Sequence, residues 1–508
     1  MSANPTNREL FRRIWSLSWP MVVYNLLEMT VGFVDLLMVR PFGPEATAAI
    51  GVSRQVTFLI EGAVIAIATG VITLVSQGVG ARSAHQVDNV VRQSVWLVLL
   101  LGIPTSVVGY VLSRPILVGL QASAATVQYA EPYLHVYFAG MVLAWGSFVG
   151  TAIFRGSGDA TTPLKLAVVV NLLNVVLNYV FIFGAGSLPG FGVMGAAMGT
   201  VGARGIGLLL CLCLLLRGTG HVRLRFGTDR PHSLEPDSEQ EGRGSRDSTE
   251  LAEVPAAVPG TTQHTACGGS AGASPSRTES WTALATWIGF DRESMARILR
   301  IGFPMALASV LRNSSRLVFL AIVGGSASGV SFHAAVGIGL QVRLLSILPA
   351  TAFQAATAAL VGQAIGRGDY DEAAALGWRS VQLLAVLTAV VVGSIFALAD
   401  PIAASMIDSA ETAKLGAKVL RWFAVAQFFS ALSIGTQGAL IGAGDTKPAM
   451  RYTLFTQWLV MLPLSYVLLI HLGGLPDGPL AAWTLAPAIA LALMLRRLGS
   501  GRWKDLRV

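Results

Sequence analysis

The sequence predicts an all-α membrane protein of twelve transmembrane helices in two pseudo-symmetric six-helix bundles. Composition, the length of the apolar runs and an internal repeat carry that expectation. Of the 508 residues, 53% are hydrophobic and 13% charged, and the mean hydropathy is +0.62. A soluble domain carries about 25% charged residues, so the chain is too apolar for a soluble core of its length. The apolar runs extend for about 20 residues or more, the length of a membrane helix, and lack the roughly 10-residue alternation of a barrel. Hydrocarbon offers the backbone no hydrogen-bond partner, which leaves helices as the spanning element.

The first apolar segment, 14–38, follows Arg8, Arg12 and Arg13; it contains Glu28 and Asp35 and lacks a small-residue cleavage site. It therefore reads as a membrane helix and not as a cleaved signal. Segments at 50–76, 93–113, 131–154, 164–185 and 192–216 complete a first lobe over 1–217. Residues 218–297, rich in Ser, Gly, Pro and Glu, bury too little apolar surface to repay ordering and read as a disordered cytoplasmic linker. A more apolar stretch within it, 281–290, reads as an interfacial helix. Segments at 298–323, 334–362, 379–399, 419–441, 449–471 and 477–497 form a second lobe over 298–508.

The positive charges orient the chain. With both termini cytoplasmic, the inward-facing stretches hold 26 of the 36 Lys and Arg residues and the outward-facing stretches six. Discounting the ten from Arg217 to Arg300, in and beside the linker, still leaves 16 to six, as the positive-inside rule requires. The net charge of +8 thus reflects orientation in a plasma membrane, and no basic stripe with interleaved aromatics points to nucleic acid. Cys211 and Cys213 point to different faces of one helix, and with Cys267 they make neither a disulfide framework nor a metal spacing.

The two halves repeat at an offset near 286. Gln77, Gly80 and Ser94 align with Gln363, Gly366 and Ser380; Gly158-Asp159 aligns with Gly444-Asp445; Pro20 and Pro304 open the first helix of each half. An even number of spans per half keeps the halves parallel, with their axis along the membrane normal and a cleft between them.

Acids inside a bilayer are costly and carry a functional hypothesis by default. Here they are Glu28, Asp35 and Glu61, all in the first half. Glu28 and Asp35, seven apart, share one face of the first helix. Asn171, Asn174 and Asn178 make a polar stripe on the fifth segment. A carboxylate opposite amide oxygens suits a small cation such as Na+, with Asp35 supplying charge and Asn174 and Asn178 neutral oxygens; burial equally suits a proton-carrying carboxyl. Plainer roles compete: Asp35 paired with Arg40, Asn171 in helix packing, Asn174 and Asn178 as interhelical glue, Asp159 and Asp445 as turn caps. Arg204, Arg312, Arg316 and Arg343 lie within helices, either neutralising the acids or lining a cavity that favours anions. Glu28, Glu61, Asn171, Tyr137, Arg312 and Arg316 are the candidate cavity residues. Tyr133, Tyr137, Phe138 and Trp145 either stack on a flat organic cation or pack.

The stretches "LSWPMVVYNLLEMTVGFVDLLMVRPFGPEATAAIG", "FRGSGDATTPLKLAVVVNLLNVVLNYVFIFG" and "GVMGAAMGT", with "LVGQAIGRGDYDEA" and "LIGAGDTKPAM" in the second half, resemble the multidrug and toxic compound extrusion (MATE) transporters, on their DinF-like branch. The resemblance covers both halves and excludes the linker. It implies two six-helix lobes, with export of small organic, often cationic, compounds against inward flow of H+ or Na+. It matches Asp35, Asn174 and Thr200 to the family's acid, asparagine and threonine, and Pro20 to a proline that allows bending of the first helix. Asn178 stands where many relatives have a second aspartate, which leaves the coupling ion open.

The reading is therefore a monomeric, cofactor-free antiporter of organic cations or amphipaths. The alternative is a flippase for a lipid-linked saccharide, whose pyrophosphate would suit the helix arginines. An enzyme is not expected. No HExxH or phosphate loop occurs, and the GxSxG match at 268–272 lies in the linker with no strand before it.

Overall fold

The computed structural model describes residues 6–218, 289–324, 329–406, 409–470 and 477–506. The expected interfacial helix, most of the linker and the GxSxG match lie outside these. Seven helices build the first half: α1 (Asn7–Val39), α2 (Pro44–Gly80), α3 (Ala84–Gly119), α4 (Ala124–Ala139), α5 (Met141–Ser157), α6 (Thr161–Phe183) and α7 (Val193–Arg217). The second half contains α8 (Arg292–Gly324), α9 (Gly329–Gly366), α10 (Tyr370–Ala397), the short α11 (Ala399–Met406), α12 (Ala410–Gly442), α13 (Lys447–Thr453), α14 (Leu462–Ile470) and α15 (Asp477–Gly499). Among the described residues there is no strand.

Among the described residues, ten helical stretches are long and apolar enough to cross a membrane, and the bent pair α4–α5 makes an eleventh. The 38-residue α9 stands where the remaining expected segment, 334–362, falls. Leu172, Val176, Leu209, Val386, Val390 and Leu459 are exposed, an outer face that water would not tolerate and hydrocarbon does.

Three local features depart from the sequence reading. The fourth expected segment is broken by 55° between Ala139 and Met141. The side chain of Val201 occupies the space a Cβ at Gly140 would need, 2.0 Å from it, so glycine permits both the break and the approach of α7. Between α13 and α14, Leu454–Met461 is a π-helix. α8 starts at Arg292, inside the expected linker, because Asp291 caps it: its Oδ1 accepts from the backbone N–H of Glu293 at 3.0 Å and of Ser294 at 3.3 Å. The first turn is polar, so hydropathy does not reveal it.

Each half has its own apolar core, one around Leu97, Leu134, Phe138 and Phe154, the other around Phe319, Phe423 and Trp483. Tyr133, Phe138 and Trp145 lie inside the first core, 4%, 0% and 2% exposed, so these aromatics pack. The halves meet through small residues. A Cβ at Gly80 would fall 2.1 Å from the Gln363 carbonyl oxygen, and one at Gly366 would fall 2.1 Å from that of Gln77. These four are two repeat-related pairs. The repeat exchanges the two contacts, as expected where the axis relating the halves passes between them. At the same end the Gln77 side-chain amide donates to the Gly442 carbonyl at 2.9 Å and the Thr73 hydroxyl to that of Ile441 at 2.9 Å. Arg13 pairs with Glu372 at 2.7 Å. Of the two expected cap residues, Asp159 accepts from the backbone N–H of Thr161 and Thr162 at 2.9 and 3.0 Å. Asp445 instead pairs with Arg497 at 2.7 Å.

Gly302→Ala should lower thermal stability in detergent by about 1–3 kcal/mol, because its Cβ would sit 1.7 Å from the Ala66 carbonyl oxygen across the seam. Gly51→Ala, with nothing within 4 Å, should stabilise by about 0.5–1 kcal/mol through helix propensity. Donors from Ser294 and Asn89 hold the Asp291 carboxyl down to about 2 from its usual 3.8. The lowered value means its contribution is present above 3.8 and lost as pH falls through about 2. The melting temperatures of wild type and Asp291→Asn should thus differ at neutral pH and converge in acid.

Candidate functional site

α1, α6 and α7 lie side by side in the first half, and the polar residues of the three helices converge. The Asn178 side-chain N–H donates to Asp35 Oδ1 at 2.6 Å and to Asn174 Oδ1 at 3.3 Å. The Asn174 N–H donates to Thr200 Oγ1 at 3.1 Å, and the Thr200 hydroxyl points at Asp35 Oδ2 at 3.5 Å. All four are buried, with Asp35 5% and Asn178 0% exposed. Asn174 and Asn178 are one turn apart and so face Asp35 together. The carboxylate accepts only, so it dictates that the Asn178 nitrogen faces it. That leaves Asn178 Oδ1 buried with no hydrogen-bond partner. Gly199 makes room for it: a Cβ there would lie 2.1 Å from that oxygen.

The arrangement offers one carboxylate, two amide oxygens and a hydroxyl, a set of hard oxygens that fits Na+. Among the described residues no group of three or more His, Cys, Asp or Glu could hold a metal ion. No bond joins Asp35 to Arg40, which is exposed on the turn after α1. Asn171, one turn before Asn174, stays outside the cluster; its amide atoms are buried without a partner, and it does not line the central cavity. The stripe therefore divides, since α1 and α7 reach only its last two members.

One helical layer away, Glu28 and Arg204 pair at 3.1 Å. Glu28 is two turns from Asp35 and Arg204 one turn from Thr200, so the same two helices stack an ion pair beside the Asp35 cluster. Tyr137 donates to Glu61 at 3.4 Å. Glu28 and Glu61 face a cavity of about 490 Å³ between the halves, whose opposite wall carries Arg312, Arg316 and Arg343. Tyr137 does not itself line that cavity; it reaches it only through Glu61. Of the four helix arginines, Arg204 alone neutralises an acid. Pro20 is buried within α1, where it leaves the Ser16 carbonyl without its usual backbone donor.

Several polar residues escaped the sequence reading, among them Arg155, which lines the cavity from α5. Asn25 on α1 crosses to the second half, donating to the Leu348 carbonyl at 3.1 Å and to the Thr351 hydroxyl at 3.0 Å. Gln457, in the π-helix, accepts from the Ser315 hydroxyl at 3.3 Å. Gln457 is Asn171 moved by the repeat offset of 286, so applying that offset to the polar stripe would have found it.

Two repeat-related helical halves enclosing a largely apolar cavity with charged side chains on its walls, in an apolar exterior, define a two-lobed membrane transporter. A MatE family profile matches residues 20–180 and again 304–467, once per half. The chain belongs to the MATE family. It is 26% identical over 98% of its length to a probable multidrug resistance protein NorM of Thermotoga maritima, covering 94% of that protein. It is 22% identical over 96% of its length to the uncharacterized transporter YisQ of Bacillus subtilis, again covering 94%. A solved structure described as the outward-facing conformation of a multidrug resistance MATE transporter superposes with a TM-score of 0.77, at 20% identity, over 98% of this chain and 97% of that one; this likeness concerns the fold.

Breaking the cavity-wall ion pair on one side leaves a half-buried charge alone. Glu28→Gln should cost about 1–3 kcal/mol, and adding Arg204→Met should recover part of that loss. Thermal unfolding of both single variants and the double variant measures the coupling.

Proposed function

We propose that the chain is a secondary antiporter that exports small organic amphipaths in exchange for H+ or Na+ by alternating access. The observation that carries this reading is the buried Asp35–Asn174–Asn178–Thr200 cluster in the first half, two turns along α1 from Glu28 on the wall of the cavity between the halves. A cation at Asp35 would neutralise the carboxylate and draw on the orphan Asn178 oxygen. Its arrival or departure would change the hydrogen bonds that tie α1 to α6 and α7. Pro20 gives α1 a weak point at which such a change can bend it. The first helix also carries Glu28 on the cavity wall, so bending couples the ion to the cavity. The names of the relatives support drug-like cargo. One chain contains both halves and the whole cavity, which supports a monomeric unit, and the Lys and Arg distribution supports cytoplasmic termini in the plasma membrane. Family membership does not favour the flippase alternative.

The test is efflux from proteoliposomes under separately imposed proton and sodium gradients. Asp35→Asn should reduce gradient-driven efflux about tenfold or more, the loss expected when a charged partner worth about 1.5–3 kcal/mol is removed. Efflux equal to wild type from a correctly inserted Asp35→Asn protein would rule the reading out.

A further inference from the structure

The second half reverses the charge of the first. Glu28 lies eight residues after Pro20 on α1, and Arg312 lies eight residues after Pro304 on α8. The same position in the repeat thus carries an acid on one cavity wall and a base on the other. Arg316 follows one turn later, and Arg343 joins from α9. The three also line a smaller extension of about 40 Å³ with Gln457, Met461 and Trp483.

None of the three has a carboxylate partner among the described residues. Arg312 donates to the Ser309 hydroxyl at 3.3 Å, and Arg316 to the Asn313 side-chain oxygen at 3.1 Å. The Arg343 guanidinium makes no hydrogen bond or ion pair among the described residues although Arg343 is only 9% exposed. The second half has no acid well inside its membrane segments to neutralise them; Asp477, at the edge of the last one, pairs with Lys418 at 2.6 Å. Three partly desolvated like charges side by side are costly, and a fold that needed only polarity here could use neutral side chains. The backbone is specialised at the same place: the π-helix Leu454–Met461 carries Gln457 against the arginines. Such bulges concentrate at functional sites.

We infer that Arg312, Arg316 and Arg343 form a subsite for an anionic group, a carboxylate, sulfonate or phosphate, on the transported amphipath. This rests on the transport reading above and refines it. The arginine forks match the paired oxygens of such groups, and Met461 and Trp483 supply the apolar flank for the attached body. The cavity is then bipolar and selects solutes bearing an acidic group, alone or together with a base that meets Glu28 and Glu61. A simple lipophilic cation would meet three positive charges.

The full-length protein in neutral detergent, with no ion gradient, is titrated with fluorescein and with rhodamine 6G, an anion and a cation on one ring system, and anisotropy is read. Wild type should bind fluorescein about tenfold more tightly than the triple Arg312→Gln, Arg316→Gln, Arg343→Gln variant does. Rhodamine 6G should bind the variant as well as wild type or better. The corresponding triple lysine variant, which keeps the charge but not the fork, should bind fluorescein more weakly than wild type and more tightly than the glutamine variant. Equal weakening of both dyes, or no weakening of either, overturns the assignment. Should the glutamine variant not fold, wild type alone decides. Naphthalenesulfonate should displace fluorescein at about tenfold lower concentration than naphthyltrimethylammonium, and equal displacement overturns the assignment. Dihexanoyl phosphatidylglycerol separates the two sources of the anion: competition comparable to the sulfonate assigns it to a lipid headgroup, and weaker competition to a soluble acid. Because binding is read without a gradient, failure of ion coupling and failure of the subsite are distinguishable.

Discussion

A carboxylate enclosed among helices in hydrocarbon must be met by donors, and in this protein Asn178 meets Asp35 at 2.6 Å. Much of the first half is arranged around that contact. The amide that donates to Asp35 also donates to Asn174, which in turn donates to Thr200. Three helices are thereby tied together by groups that have no water to turn to. Gly199 is required because α7 must come close enough for Thr200 to reach Asp35 while leaving room for the Asn178 oxygen. The half-buried charge of α1, Glu28, is held by Arg204 on the same face of α7 as Thr200.

The two halves share a scaffold but divide the chemistry. Their seam is built from backbone-to-backbone approach at glycines and from donors aimed at carbonyls, such as Gln77 and Thr73. Apolar side chains complete it: Leu10, Ile14 and Ile72 of the first half share a buried cluster with Met305 and Phe353 of the second. The cavity walls carry opposite charges at repeat-related positions. Duplication fixes where a side chain faces, and substitution afterwards decides what charge it presents. The first half has the acids, accompanied by Arg155 and Arg204, and the ion-sized cluster; the second has Arg312, Arg316 and Arg343 with the irregular helix beside them.

The helical class, the repeat and the Asp35 constellation were legible in the sequence because each rests on local rules. Hydropathy finds helices whose whole surface is apolar, helical spacing puts Asn174 and Asn178 on one face, and the cost of a charge in lipid singles out Asp35. The break at Gly140 and the π-helix at Leu454–Met461 were not legible. The break lies where Val201 comes against Gly140, and no residue type in Leu454–Met461 marks a π-helix by itself. The start of α8 was misplaced because its first turn is polar and its cap is recognised only once Asn89 and Ser294 are seen around Asp291.

The chain by itself determined that charged and amide side chains must turn inward, because the alternative is hydrocarbon. It did not determine which inward face meets which. Asn171 and Asn174 have the same chemistry and lie one turn apart, yet α1 and α7 reach only the second. Arg204 and Arg312 are both helix arginines, yet only Arg204 finds an acid. Such pairings depend on how helices distant in sequence cross, and crossing is set by the packing of small residues along the entire seam. Only the tertiary structure specifies that.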